Sequence, residues 1–204
     1  MSKLKIAWLA LLLILFGAFW YWYGGTGDPL SVEEGTAMLD EIEAAHEAAG
    51  NPRSMSDFRA NIEAMLPNDD GGEFYAVNLE QLREGPEAEA ADAAYARAVF
   101  PALLKRGAIP IYVGDTAGLM LGQYGAEVDR VAIVRYRSLR DMLDMNLDPG
   151  MIAGVPHKFA SLDHTEVFIT RATLSAVHVR LTLALVLLVI GFLGLKLIDR
   201  MRGY

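Results

Sequence analysis

The chain has 204 residues, 53% hydrophobic and 22% charged, too apolar for an ordinary soluble domain and too charged for a bundle of membrane spans. Its 26 acidic against 18 basic side chains give a net charge of −8, which argues against nucleic acid as a partner. The lack of cysteine excludes disulfides, thiolate metal sites and thiol nucleophiles.

The apolar residues gather at the two ends. From Ile6 to Tyr23 there is no charge, and a helix over that run would span roughly 27 Å, close to the hydrocarbon core of a bilayer. Lys3 and Lys5 precede it, and Trp20, Tyr21, Trp22 and Tyr23 close it as an interfacial belt. A cleaved signal peptide would need small residues where those rings stand, so residues 1–23 read as an uncleaved anchor.

Residues 24–67 read as a linker and a helical hairpin. Gly24 to Pro29 is a flexible exit, after which Ser31 and Glu34 have the spacing of a capping box. Met38, Leu39, Ile42, Ala45 and Ala49 follow at helical spacing up to the stop Gly50-Asn51-Pro52. A second helix runs from Ser56 to Pro67 with Phe58, Ile62, Met65 and Leu66 on one face. The hairpin reads as a packing layer or spacer, with His46 on its exposed side.

The period changes at residues 68–175. Glu73–Leu79 reads as a strand, Glu87–Arg106 as a helix kinked at Pro101, Ile109–Val113 as a strand and Arg130–Arg137 as the clearest strand. Ser138 caps a helix carrying Leu139, Met142, Leu143 and Leu147 that breaks at Asp148-Pro149-Gly150. A loop to His157, a short helical turn near Lys158–Leu162 and a strand at Thr165–Thr170 complete the set. The order β-α-β-β-α-β defines a ferredoxin-like α+β domain. Ala132, Val134 and Tyr136 alternate with Val131 and Ile133, so this sheet is apolar on both faces and needs two covers. The second cover is either the hairpin or another copy's sheet.

Residues 176–204 hold the second apolar run, Leu181–Leu195, between Arg180 and Lys196, read as a span rather than a buried helix because Lys196, Arg200 and Arg202 form a basic flank behind it. The terminal segments sum to +5 and residues 24–178 to −13, which places both termini in the cytoplasm and the acidic middle outside. A lipid bilayer is therefore an expected partner, and a bacterial chain would hold its middle in the periplasm, anchored in the inner membrane.

The blocks FYAVNLEQLREG, AYARAVFPALLKRGAIPIYVGD, RVAIVRYRSLRDMLDM and HKFASLDHTEVFIT resemble an uncharacterised bacterial family of small α+β domains of the dimeric α/β-barrel, antibiotic-biosynthesis-monooxygenase-like type. The resemblance covers about Asn68 to Thr170. It implies a ferredoxin-like fold of the dimeric α/β-barrel type; the sheet apolar on both faces and the two anchors add the expectation of a second copy or a membrane-protein partner. The wider group includes monooxygenases, haem proteins, isomerases and plain binding domains.

Candidate site residues follow from chemistry. His157 is a candidate base or haem ligand, expected to face a cavity under a lid formed by Asp148–His157, with Asn78 and Tyr136 within reach. The alternative leaves His157 capping a short helix in solvent. His164 enters the last strand, and Tyr75 and Tyr112 are strand tyrosines whose hydroxyls need partners. Arg135, Arg137 and Arg140 beside Asp141 are either an anion clamp or an ion-pair network. No histidine spacing suits a metal, so no metal site and no resident cofactor are expected. Two functions remain open: a tethered periplasmic binding or assembly module without catalysis, or a small monooxygenase-like or haem-binding enzyme acting on an apolar substrate.

Overall fold

Helix α1 (Lys3–Gly24) and helix α7 (Val179–Met201) are both long and apolar enough to cross a membrane. They pack antiparallel. Lys5 meets Asp199 at 2.5 Å at one end, and at the other the Arg180 guanidinium lies 4.5 Å from the Trp20 ring. Between these ends Gly194 admits the Trp8 indole and Gly191 faces Leu12, so small residues set the approach of the two backbones. The α7 helix continues through Arg180 and Lys196, well past the uncharged fifteen-residue run, and at 23 residues is roughly 34 Å long. The computed structural model describes residues 2–51, 55–174 and 179–201, so Pro52, Ala176, Val177, His178 and Arg202 lie outside the described residues.

The α1–α7 pair forms one compact unit and Gly25–Ala172 another. The second unit begins with helix α2 (Val32–Ala48), where Ser31 Oγ accepts from the Glu34 amide while the Glu34 carboxylate accepts from the Ser31 amide. Helix α3 (Ser56–Met65) follows and passes into a 3-10 turn at Leu66–Asn68. Leu39, Ile42, Ile62 and Leu66 are buried, and Gly35 lets the Leu66 side chain lie against α2.

Strands β1 (Phe74–Leu82), β2 (Ile109–Asp115), β3 (Arg130–Tyr136) and β4 (Leu162–Thr170) form one antiparallel sheet in the order β2-β3-β1-β4. Helix α4 (Pro86–Lys105) joins β1 to β2, and helices α5 (Leu139–Asn146) and α6 (Pro149–Ser161) join β3 to β4. Each crossover skips one strand, which is the ferredoxin-like arrangement. Ser138 and Asp148 cap α5 and α6 by accepting from the Asp141 and Gly150 amides. The segment expected to be a lid loop followed by a short turn is instead the continuous thirteen-residue α6, with Pro149 at its first position and Pro156 inside it. Gly150 and Gly154 explain its stability in place: without side chains they let α6 close on α4, and that packing outweighs the poor helix propensity of glycine and proline.

The register assigns faces. Phe74, Ala76, Asn78 and Glu80 share one with Tyr136, Val134, Ala132 and Arg130, while Tyr75, Val77 and Leu79 share the other with Arg135, Ile133, Val131 and Phe168, Arg135 being buried at the end of that face by its bonds to Glu73 and Gly107. Every helix from α2 to α6 contributes side chains over the Asn78 face. Of the two covers expected for the second face, the hairpin is therefore removed, because its His46, Met55 and Phe58 lie on the same side as α4 and α6. Buried Leu143 and Ile42, fully enclosed, each contribute about 1.5–3 kcal/mol to that helical core.

Candidate functional site

A cavity of about 320 Å³ lies between the Asn78 face and the helices. Its walls are largely apolar: Val134 from the sheet, Val99 and Leu103 from α4, Met142 and Met145 from α5, Met151 and Val155 from α6. Methionine is an adaptable lining for a ligand of irregular shape. Polar groups also line it: His46, Asn51, Asp57 and Asn146 on the helical-hairpin and α5 side, and Asn78, Lys158 and Thr165 toward the sheet. Asn78, 9% exposed, donates from Nδ2 to the Ala132 carbonyl at 3.1 Å and accepts at Oδ1 from Lys158 Nζ at 3.3 Å. The Lys158 ammonium also stands 5.7 Å from the centre of the Tyr95 ring. The Thr165 hydroxyl lines the same space, buried and without a hydrogen-bond partner.

Tyr136 closes the far end, stacked on Phe74 at 5.3 Å, its hydroxyl donating to Met145 Sδ at 3.9 Å. Burial pushes loss of that phenolic proton far above its ordinary range, so Tyr136 is a neutral hydroxyl and not a base.

His157 does not join Asn78 and Tyr136. The residues of α6 that line the cavity are Met151, Val155, Lys158 and Phe159, on one side of the helix, and His157 is not among them and is exposed. A haem held from His157 therefore does not fit this cavity. His164 is likewise exposed, on β4 opposite Gln81. Tyr75 and Tyr112 lie on the open face, where Tyr112 is 53% exposed.

Arg135, Arg137 and Arg140 do not converge. Arg135, fully buried, meets Glu73 at 2.5 Å and donates to the Gly107 carbonyl; Arg137 meets Asp141 at 2.5 Å; Arg140 reaches Glu34 at 3.1 Å. Three separate ion pairs replace the anion clamp. Arg130 grips Asp92 with both terminal nitrogens at 2.8 Å and Glu80 at 2.7 Å, which ties α4 to the sheet. Among the described residues no group of three His, Asp or Glu side chains is placed to hold a metal.

His46 is the clearest correction. Expected on an exposed face, it is 2% exposed, donating from Nε2 to the Asn146 carbonyl at 3.0 Å while Asn51 Nδ2 donates to its Nδ1 at 2.6 Å. It ties α2 to the end of α5. The signal was present, since His46 stands four residues after Ile42 and seven after Leu39, on the buried stripe. No sequence signal marks Lys158 as a cavity residue, because only the continuous helix α6 turns it toward Asn78.

Fold and cavity together define a ferredoxin-like α+β domain with a methionine-rich chamber under its helices. Among solved structures the chain is similar to the RPA0582 protein of unknown function from Rhodopseudomonas palustris, with a TM-score of 0.52 and 24% identity over 60% of this chain and 96% of that one. The methylated RPA0582 protein gives the same TM-score at 23% identity, covering 61% and 96%. A Bacteroides fragilis protein described as dimeric, of unknown function and ferredoxin-like fold has a TM-score of 0.36 and 14% identity, covering 50% of this chain and 97% of that one. The first two likenesses are to the fold alone. No family model matches the chain, and no curated protein matches it.

Proposed function

We propose that the chain is a membrane-tethered extracytoplasmic module, both termini in the cytoplasm and residues 24–178 in the periplasm, that works as a binding or assembly domain by pairing with a second copy as dimeric α/β barrels do. The observation that carries this reading is the uncovered sheet face. Val77, Leu79, Val131, Ile133 and Phe168 lie together there, with Phe168 44% and Tyr112 53% exposed, while all five helices of the unit line the opposite side. An antiparallel sheet tolerates water on one face only when that face is polar, and this one has aliphatic residues across its two central strands. With His157 outside the cavity that Asn78 and Tyr136 share, nothing assembled there favours the enzymatic alternative.

Because the chain has no cysteine, single cysteines report the pairing directly. The full chain carrying Val77→Cys, in lipid nanodiscs, is expected to form an oxidised dimer, and Ile133→Asp in the same chain to abolish it. A chain that stays monomeric and unlinked at every loading excludes self-association through this face.

A further inference from the structure

The cavity carries a second inference, independent of the open face. Lys158 lines the cavity without a carboxylate partner among the described residues. Arg106, Arg130, Arg135, Arg137 and Arg140 each meet a carboxylate, whereas among the described residues Lys158 Nζ has only the neutral amide of Asn78 and the Tyr95 ring. Two residues along the same sheet face from Asn78, the Thr165 hydroxyl is buried with nothing to bond, as the pairing of Asn78 with Val167 and Glu80 with Thr165 places it. A buried hydroxyl without a partner calls for an explanation, and one on the same cavity lining as a cation that meets no carboxylate among the described residues calls for an anionic oxygen. Elsewhere the walls include Val134, Met142, Met145 and Met151, with His46, Asn51, Asp57 and Asn146 also on the lining.

The geometry points to a binding site for a small apolar carboxylate: its head between Lys158 Nζ and Thr165 Oγ1, with Asn78 holding the ammonium in place, and its hydrocarbon body among the methionines. A volume of about 320 Å³ holds about ten water-sized groups, which suits a ligand of about ten non-hydrogen atoms. An uncharged molecule of the same length would leave the ammonium unanswered.

Octanoate has the required size and head, and 1-octanol the same body without the charge. The full chain in nanodiscs is titrated with carboxyl-labelled octanoate, whose bound carbon resonance is distinct from that of octanoate in lipid. The expected result is saturable binding at least tenfold tighter than that of 1-octanol measured by competition. Lys158→Met should cost octanoate at least tenfold and leave 1-octanol unchanged, Lys158→Arg should restore most of the binding, and Thr165→Val should weaken octanoate alone. The proposal is overturned if octanoate fails to bind at millimolar concentration, if both probes bind alike to the native chain, or if a folded Lys158→Met or Thr165→Val chain binds octanoate as the native one does.

Discussion

Helix α6 rests on α4 through glycine, and an added methyl tests that contact. A Cβ on Gly154 would stand 2.7 Å from Val99 Cγ2, 3.4 Å from Tyr95 Cδ2 and 3.5 Å from Ala98 Cβ. Val99 is 4% exposed and β-branched, so its side chain has no free rotamer to yield into. Overpacking of this kind costs about 1–3 kcal/mol. Alanine's advantage over glycine inside a helix returns about 1 kcal/mol. Gly154→Ala should therefore destabilise the domain by up to about 2 kcal/mol, a fall in melting temperature of up to about 6 °C for a unit of this size. In a Val99→Ala background the new methyl enters the vacated space, and Gly154→Ala becomes neutral or stabilising by up to about 1 kcal/mol. The coupling between the two sites is then about 1–3 kcal/mol. Thermal melts of the full chain in detergent micelles, followed by tyrosine ellipticity for the four members of the cycle, measure it. If Gly154→Ala costs the same in both backgrounds, the close approach of α6 to α4 is not what glycine provides there.

Three further outcomes follow. His46→Leu removes the partner of the Asn146 carbonyl and of the Asn51 amide, and should destabilise the domain by about 1–3 kcal/mol in the same melts; an unchanged melting temperature refutes the tie between α2 and α5. Hydrogen bonds from Arg130 and Arg106 hold the Asp92 and Asp148 carboxyls below their ordinary value of 3.8. Their folded values lie below the unfolded ones, so this stabilisation is complete above about pH 4 and is lost as pH falls through the folded values. Melts at about pH 5 and about pH 2 should show a smaller acid-induced drop for Asp92→Asn than for the native chain, and an equal drop would count against the pair. A reporter enzyme active only outside the cytoplasm should be silent after Tyr204 and active when inserted in the exposed loop at Gly122; activity after Tyr204 overturns the orientation.

Much of the fold is legible because local signals and tertiary packing agree. The Ser31–Glu34 box, the Ser138 cap and the alternation in Arg130–Tyr136 each have a local cause, and each element formed where that cause places it. The failure at α6 has a physical origin too. Pro149, Gly150, Gly154 and Pro156 disfavour helix in isolation, and only the close seat on α4, which no local signal encodes, reverses the preference. His157 was then placed in a lid that does not exist, and Lys158, one residue on, took the position over the sheet. The arginines illustrate a different limit. Their clustering along the chain is visible in sequence, but the carboxylates that claim them, Glu73 and Glu34, come from distant segments.

The incoming and outgoing segments of the sheet domain meet at one end. The backbone at Gly27 and Asp28 lies against Gly71, whose neighbour Asp70 pairs with Arg171, just beyond the last residue of β4. This adjacency has an entropic consequence for the two terminal helices. Were the intervening stretch of about 150 residues unfolded, bringing α1 and α7 together would carry a loop-closure cost that rises as (3/2)RT ln n, about 4 kcal/mol here. Once folded, that stretch behaves as a short linker and most of the cost is gone. Conversely, a paired α1 and α7 restrict the unfolded stretch to closed loops and so favour its folding by a similar amount. Folding of the domain and pairing of the helices thus reinforce each other through chain connectivity alone, and a cut in the exposed loop around Gly122 would remove that mutual support without touching a single contact between α1 and α7.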